Sequence, residues 1–464
     1  MKHFHTTRRS AAVLAASIII TVAAMLALAV PGLAADPGET IWTRSWSAGG
    51  IGDQFSLVKA CAGGDMVVAG ESMTSLGRHI VVARFAPSGK RRWVRRIDAA
   101  GPQWDGAQAL AVDRRGNALV AGQRVKTDTD YDVLVVKITP RGRLAWERVI
   151  DGGISGFDTA ASVVVDRDGN AYVPCRAESG AGIASVTYKL RARDGATSWS
   201  RELSGTNTVL FPNDIAIDGR RNTYITGTGY EGVDDHEMVT VKLSSSGSVR
   251  WIRELPGEGT LQTEGRFVTL GPSGSLYVAG SLMTGPGSTD VILVKYRTNG
   301  DFSWRDDWDA SGAGIGFDTL AALAVDRSAN AFVTGYHWTA PAGTYHAFVA
   351  RWRPDKTRWT ASYSATDETW FGFFGLVPDN AGGCYVAGGV VLNYGDGGSE
   401  VEVGYYARYR SSGKPRWERA YVCPGRRASF AGMAMWPGRG LCLVGDASDW
   451  DGLDRQALVQ LRQR

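Results

Sequence analysis

Histidine and cysteine are scarce in this chain, with six histidines and five cysteines among 464 residues. The cysteine spacings fit no zinc site, and no C-x-x-C-H segment is present to attach a haem. So few histidines argue against a histidine-based metal site or a Ser-His-Asp triad. G-x-S-x-G elements and phosphate-cradling glycine loops are missing as well. The composition therefore argues against several common classes of enzyme.

Strong charge is also lacking. The chain has 51 Lys and Arg against 47 Asp and Glu, a net charge of +4, and Lys2, Arg8 and Arg9 supply most of the excess. Such a balance gives no sign of a nucleic acid or an anionic membrane as a partner.

Long apolar runs are absent except for residues 11–30. The positive charges before this run and the small residues Gly32 and Ala34 after it predict a cleaved signal peptide over 1–34. The mature domain, 35–464, is then expected to be secreted or periplasmic and to lack a membrane span. An uncleaved anchor is the alternative, and the pair Arg8-Arg9 leaves twin-arginine export open beside the general route.

The cysteines allow two interpretations. As small apolar residues they suit buried positions on strands. Export also permits a disulfide, for which Cys423 and Cys442 in one repeat are the best candidates. The sequence does not decide the pairing among Cys61, Cys175, Cys384, Cys423 and Cys442.

No part of the mature chain has a sustained helical period, whereas tryptophan recurs at one interval. The steps are 51, 53, 53, 52, 53, 55 and 58 residues, which is typical of a repeat protein. The eight tryptophans are Trp42, Trp93, Trp146, Trp199, Trp251, Trp304, Trp359 and Trp417.

The copy ending at Ile150 shows the unit most clearly. Residues 107–113, 118–122, 132–138 and 144–150 are β-branched runs separated by Gly, Asn, Asp and Pro, and they predict four strands. A glycine stands four residues before most of these tryptophans and is expected to fix the register of a hairpin. A base stands near the end of seven of the eight third strands, Gln460 being the exception, and is read as a solvated face or a local ion pair. The bases are Arg84, Lys137, Lys189, Lys242, Lys295, Arg351 and Arg408.

Four strands in each unit predict an all-β fold, an eight-bladed β-propeller of antiparallel blades. The strand around Trp42 precedes any complete unit, and the last unit ends after its third strand. We therefore expect these two terminal strands to pair and close the ring. Seven blades are the alternative.

Particular segments resemble known repeats. The sequences DTAASVVVDRDGNAYV (158–173) and DTLAALAVDRSANAFVTG (318–335) resemble the bacterial SBBP-type β-propeller repeat. The hairpin VTVKLSSSGSVRW (239–251) resembles the tryptophan-docking repeat of quinoprotein-type propellers, which assembly-scaffold lipoproteins share. The resemblance implies the fold but not the function, because such repeats occur in enzymes and scaffolds alike. Because the adjacent Cys-Cys pair of quinone-dependent dehydrogenases is absent, it implies no cofactor.

Four acids share one position near the start of a first strand: Asp53, Asp105, Asp158 and Asp318. They could surround one mouth of the channel and bind a cation or a sugar, or supply acid and base groups. Alternatively, each accepts backbone N–H groups of its own turn. Residues 166–170 resemble half of a calcium loop but are read as a turn, because they lack its remaining acids.

The last repeats are longer and aromatic, and insertions of this kind often form binding surfaces. The candidate surface comprises His337, Trp338, Trp370, Phe371, Phe373 and Tyr394. The alternative is that Trp370, Phe371 and Phe373 fill the core. Together these features predict a non-catalytic binding or scaffolding module for protein or carbohydrate, expected to be a monomer. A carbohydrate-active hydrolase or lyase on the same platform is the second interpretation.

Overall fold

The structure is a computed structural model that describes residues 40–461, apart from short segments. The segments left out are 47–51, 76, 98–103, 128, 154–155, 180–181, 204–208, 231–235, 258–261, 286, 313–315, 340–342, 364–367, 394–399, 422–425, 437–439 and 450–453. The predicted signal peptide, 1–34, lies outside the described residues. Within them no helix is long and apolar enough to cross a membrane.

The described chain is almost entirely strand, as the sequence predicts. Its one helical element there is a 3-10 turn at Pro272–Gly274. The strands of the first three repeat units are β2 to β5 (Gly52–Ala60, Met66–Thr74, Gly77–Phe85, Arg91–Ile97), β6 to β9 (Trp104–Val112, Ala118–Thr127, Asp130–Ile138, Leu144–Ile150) and β10 to β14 (Thr159–Ala160, Val164–Val165, Ala171–Ser179, Gly182–Leu190, Thr197–Glu202).

The later units continue this order. Their strands are β15 to β18 (Val209–Ile217, Thr223–Tyr230, His236–Leu243, Val249–Leu255), β19 to β22 (Gln262–Leu270, Ser275–Gly285, Ser288–Arg297, Phe302–Trp308), β23 to β26 (Gly316–Val325, Ala331–Thr339, Thr344–Trp352, Arg358–Tyr363), β27 to β30 (Glu368–Pro378, Cys384–Asn393, Glu400–Tyr409, Pro415–Tyr421) and β31 to β33 (Arg426–Trp436, Gly440–Asp449, Asp454–Leu461). The first strand of the chain, β1, is Thr40–Trp46.

Within a unit each strand pairs antiparallel with the next, in orders such as β2-β3-β4-β5 and β27-β28-β29-β30. The terminal strand β1 pairs antiparallel with β33 and completes the sheet of β31, β32 and β33. Units 5 and 6 (β19 to β22 and β23 to β26) are joined by one parallel pair, Thr289 with Phe317. The first strand of unit 3 is interrupted: its two short pieces, β10 and β11, each pair with β12.

The recurring glycine of each second strand marks a close approach to the first strand. A Cβ on Gly122 would lie 1.8 Å from the Gly106 carbonyl oxygen, and the register shifts beside it between Ala107 and Ala109. Only glycine fits this β-bulge, which explains why the residue recurs from unit to unit.

The recurring tryptophans dock each unit onto the following one. The Trp93 indole lies over Gly142 of the next unit, where a Cβ would sit 2.8 Å from the indole Cγ. Its Nε1 donates to the Pro140 carbonyl at 2.8 Å. The same indole-on-glycine packing joins Trp146 to Gly195, Trp199 to Gly247, Trp251 to Gly300 and Trp359 to Gly413. The glycine predicted to set hairpin register therefore also forms the platform for the preceding tryptophan.

The bases of the third strands add polar links between units. Lys137 is buried, pairs with Asp113 at 3.1 Å and donates to the carbonyl of Gly169 in the next unit. Arg84 is buried likewise, pairs with Asp65 at 2.7 Å and donates to the Gly116 carbonyl. The local ion pair is thus confirmed for both residues, and the solvated face is wrong for them because their side chains lie between units.

The core lies between neighbouring sheets. One apolar cluster joins Val67 and Val82 of unit 1 to Val120 and Leu134 of unit 2, and each of these four side chains is fully buried. Cys61, Cys175, Cys384 and Cys442 are likewise buried and carry free thiols, while Cys423 lies outside the described residues. The interpretation as small buried residues holds for the described four.

Candidate functional site

Chemistry-bearing side chains collect at one end of the units, where each first strand begins; we call this the entry end. It carries the four acids selected from the sequence, and all four are buried: Asp53, Asp105, Asp158 and Asp318. They share one position in their units, and burial leaves little of their carboxylates open to solvent. That these acids surround a channel mouth stays a prediction.

Hydrogen bonds fix the orientation of these buried carboxylates, as Asp105 and Asp158 show. Asp105 accepts hydrogen bonds from Arg124 at 3.1 and 3.3 Å, and burial raises the pKa of Asp105. Asp158 accepts the backbone N–H groups of Gly152 and Glu178, at 2.5 and 2.6 Å. Asp158 thus accepts backbone N–H groups, as the alternative interpretation predicts, but from the preceding loop and from strand β12 rather than from a turn of its own.

Asp158 also belongs to a three-acid cluster between units 2 and 3. One oxygen each of Asp132, Asp151 and Asp158 lies within 4.8 Å of the others. Lys126 supplies a cation, with its Nζ 2.9 Å from Asp132 and 3.4 Å from Asp151. The hydrogen bond to Asp132 raises the pKa of Lys126, so the ammonium form is favoured there.

A second three-acid cluster lies between units 5 and 6. Oxygens of Asp290, Asp309 and Asp318 again lie within 4.8 Å of one another. Burial, with the neighbouring carboxylates, raises the pKa of Asp318 to about 7 and that of Asp290 to about 6. Among the described residues no lysine or arginine forms an ion pair with Asp290 or Asp318.

Two histidines continue the row that Asp318 begins. His337 lies opposite Asp318 in the β23–β24 pair and opposite His346 in the β24–β25 pair. Burial and the neighbouring His346 lower the pKa of His337 to about 4. His337 is therefore a neutral imidazole at pH 7 and does not neutralise the cluster.

A cavity of about 320 Å³ opens beside the second cluster, between units 4, 5 and 6. Most of the residues that line it have polar or charged side chains, among them Glu264, Arg266, His236 and Asp318. Its lining also includes Tyr230, Met283 and Phe317, of which Met283 and Phe317 are 40% and 43% exposed. The volume is at the small end of ligand pockets, and a polar wall with a few apolar faces suits a small hydroxyl-rich ligand.

The aromatic surface predicted in the last repeats is only partly formed. Phe371 and Phe373 are fully buried in the core of unit 7, so their assignment to a surface is wrong and the core interpretation is correct. They pack there because the longer strand β27 turns both rings onto Tyr405. The side chain of Trp370 and the whole of Tyr394 lie outside the described residues.

His337 and Trp338 have different surroundings. His337 is buried, and its ring stacks on Phe348 at 6.3 Å. The predicted surface role is therefore wrong for His337. Trp338 is half-buried, and its ring lies 5.7 Å from Phe317 at the cavity. Trp338 thus remains beside the candidate site.

The short calcium-like segment is a turn, as predicted. Asp166 Oδ1 accepts the N–H groups of Asp168 and Asn170, and Asp166 Oδ2 accepts the Asn170 side chain at 2.9 Å. The left-handed residue of this turn is Gly169, with φ of 86°. Asn170 therefore serves as a hydrogen-bond donor rather than as the left-handed residue.

Sequence reasoning missed Asp290, Asp309, Glu264 and Phe317. One signal was available, because the segment Gly-Phe-Asp-Thr occurs at both 156–159 and 316–319. An aspartate also follows both Trp146 and Trp304 by five residues. The repeated Gly-Phe-Asp-Thr segment marks the two junctions at which three acids meet.

Comparisons with known proteins agree with this architecture. The SBBP β-propeller repeat family matches residues 198–232. No curated protein sequence matches the chain.

Among solved structures, Sqt1 from Chaetomium thermophilum is 11% identical with a TM-score of 0.53, and the match covers 92% of this chain and 99% of that one. The WD40 domain of SCAP from fission yeast is 10% identical with a TM-score of 0.45, over 90% of this chain and 98% of that domain. A puromycin hydrolase mutant is 14% identical with a TM-score of 0.47; the match covers 85% of this chain and spans only 58% of that enzyme. The repeat match and the fold shared with Sqt1 show that the chain has a β-propeller fold and contains a β-propeller repeat.

Proposed function

We propose that the chain is an eight-bladed propeller that acts as a non-catalytic binding module and holds a carbohydrate in the entry-end cavity. Pairing of β1 with β33 supports closure of the ring. Packing of β2 against β31, β32 and β33 brings the first and last units together. Both features are expected if the strand before the first complete unit finishes the last blade.

The cavity carries the proposal about the ligand. Its polar side chains can exchange hydrogen bonds with sugar hydroxyls, and the rings of Phe317 and Tyr230 can cover the apolar face of a pyranose ring. Glu264 and Arg266 offer an acceptor and a donor on the same strand, β19. A volume of about 320 Å³ suits one or two sugar rings rather than a long glycan.

A glycan microarray followed by calorimetric titration of the best-retained oligosaccharide tests this proposal. Phe317→Ala and Glu264→Gln should each weaken binding about tenfold, because each removes one contact worth about 1.4 kcal/mol. Phe302→Ala is the matched control, since Phe302 is 57% exposed on the outer strand β22, away from the cavity. Equal affinity of all three variants and the parent, or retention of no glycan, would count against the proposal.

A second candidate is a carbohydrate-active hydrolase or lyase. Its support is that Asp318 and Glu264 line one cavity while burial raises the pKa of Asp318 to about 7. A protonated acid beside a second carboxylate is the arrangement that acid–base cleavage of sugars requires. Turnover of the same glycans that disappears in both Glu264→Gln and Asp318→Asn would favour the enzyme over the binding module.

Export is part of the same proposal and rests on the predicted signal peptide. N-terminal sequencing of the protein recovered outside the cytoplasm should read from Ala35. An N-terminus at Met1 in that fraction would contradict cleavage.

A further inference from the structure

We propose that Asp290, Asp309 and Asp318 form a binding site for a hard divalent cation of the calcium class at the junction of units 5 and 6. Asp318 also lines the proposed carbohydrate cavity. The inference nevertheless does not rest on the carbohydrate, because its test uses no glycan.

The first support is geometric. One oxygen of each carboxylate lies within 4.8 Å of the other two, so a single ion could contact all three. Asp318 is only 2% exposed, and its Oδ1 has no hydrogen-bond partner among the described residues. Its other oxygen accepts the Ala310 N–H at 2.6 Å, which fixes the orientation of the carboxylate. A buried carboxylate oxygen without a partner is costly unless something cationic meets it.

The second support comes from the equivalent cluster in units 2 and 3. There the same three positions are occupied by Asp132, Asp151 and Asp158, and the Lys126 ammonium contacts two of them. Lys126 is the extra residue of a bulge between Val125 and Thr127. The chain therefore shows how this arrangement of acids is neutralised when the cation is part of the protein.

Unit 5 has the bulge but not the cation. The residue at the same bulge, between Met283 and Gly285, is Thr284, whose hydroxyl donates to Ser288 Oγ at 2.9 Å. Where unit 2 carries a tethered ammonium at the bulge, unit 5 carries a hydroxyl, and we expect a soluble ion to take the place of the ammonium. The substitution of lysine by threonine at this one position is what turns an internal ion pair into a site.

The donor set selects the kind of ion. Three carboxylates supply oxygen only, which suits Ca²⁺ and, less well, Mg²⁺, with water completing the coordination. The other titratable groups around the site are Asp307, His337 and His346. Both histidines have a pKa lowered by burial, so neither brings a positive charge at pH 7 that would compete with a cation.

The test is calorimetric titration of the EDTA-treated, dialysed chain with CaCl2, together with metal analysis after gel filtration. One Ca²⁺ should bind per chain, and binding should raise the melting temperature. Asp290→Asn should lose it, whereas Asp151→Asn, in the Lys126 cluster, should keep it. Absence of binding by a folded parent protein, or binding that survives Asp290→Asn, would overturn the proposal.

Two exchange variants make the test independent of lost folding. Thr284→Lys places the tethered cation in unit 5 and should abolish calcium binding while raising the melting temperature of the metal-free protein. Lys126→Thr should create a second site, so that two Ca²⁺ bind per chain. Unchanged stoichiometry in both exchange variants would contradict the equivalence of the clusters. If these experiments refute the metal site, the proposal of a carbohydrate site still stands, because it is tested separately by glycan binding.

Discussion

Replacing Gly142 by alanine tests the tryptophan dock most sharply. The added Cβ would lie 2.8 Å from Trp93 Cγ and 2.9 Å from Cδ2, so the indole would have to move off its platform. The backbone at Gly142 also has φ of 79°, which disfavours any residue with a Cβ. We expect about 1–2 kcal/mol from the left-handed backbone and about 1–3 kcal/mol from the forced contact.

A matched control separates these two contributions. Gly343 has φ of 68°, and a Cβ there would meet nothing within 4 Å. Gly343→Ala should therefore cost only the backbone contribution in urea-induced unfolding. In a Trp93→Ala background, Gly142→Ala should cost no more than Gly343→Ala, because the clashing ring is gone. Equal losses for Gly142→Ala and Gly343→Ala in the parent would refute the docking argument.

Two further predictions concern strain and pH. Lys356 has φ of 75° at the turn where other units carry glycine, so Lys356→Gly should stabilise the protein by about 1 kcal/mol in urea unfolding, and a loss of stability would contradict the inferred strain. The folded-state pKa values of Asp318 and Asp290, about 7 and about 6, lie above their ordinary value of 3.8. Between pH 3.8 and these values the folded state therefore binds more protons than the unfolded state. In EDTA, stability should fall as pH rises from about 4 to 7, by at most about 4 kcal/mol for Asp318, and Asp318→Asn should flatten this fall; an unchanged pH profile would contradict the raised pKa.

The strands and the repeat can be predicted from the sequence because each unit carries the same pattern of β-branched runs separated by turn residues. In unit 2 the predicted strand 118–122 extends to Thr127 in the structure, and the bounds 144–150 agree. The longer second strand continues past Gly122 because its end pairs with β8 around the bulge at Lys126. That pairing depends on a partner strand whose register the sequence pattern does not give.

The contacts between units could not be predicted in the same way. Gly142 was expected to set a turn, but its role as a platform requires knowing that Trp93 of the preceding unit faces it. The Arg84 and Lys137 side chains look like surface bases in sequence, and only packing of the next unit buries them.

The candidate site could be predicted only in part, because it too is formed by contacts between units. Asp318 was found because it recurs at one position, whereas Asp290 and Asp309 belong to the preceding unit and approach it only through the junction. The position of Phe371 and Phe373 in a divergent, aromatic repeat predicts a surface role for both. Composition alone does not tell a core filled by larger rings from a surface lined by them.

Closure of the ring by the N-terminal strand is the central claim, because the cavity and both acid clusters lie at junctions that an open chain of blades would hold less firmly. Deleting Thr40–Trp46 removes the partner of β33 and exposes its edge. Urea unfolding of this truncation should show stability lowered by several kcal/mol, on the order of 3, relative to the chain from Ala35. An unchanged unfolding midpoint and slope would contradict the closed eight-bladed ring.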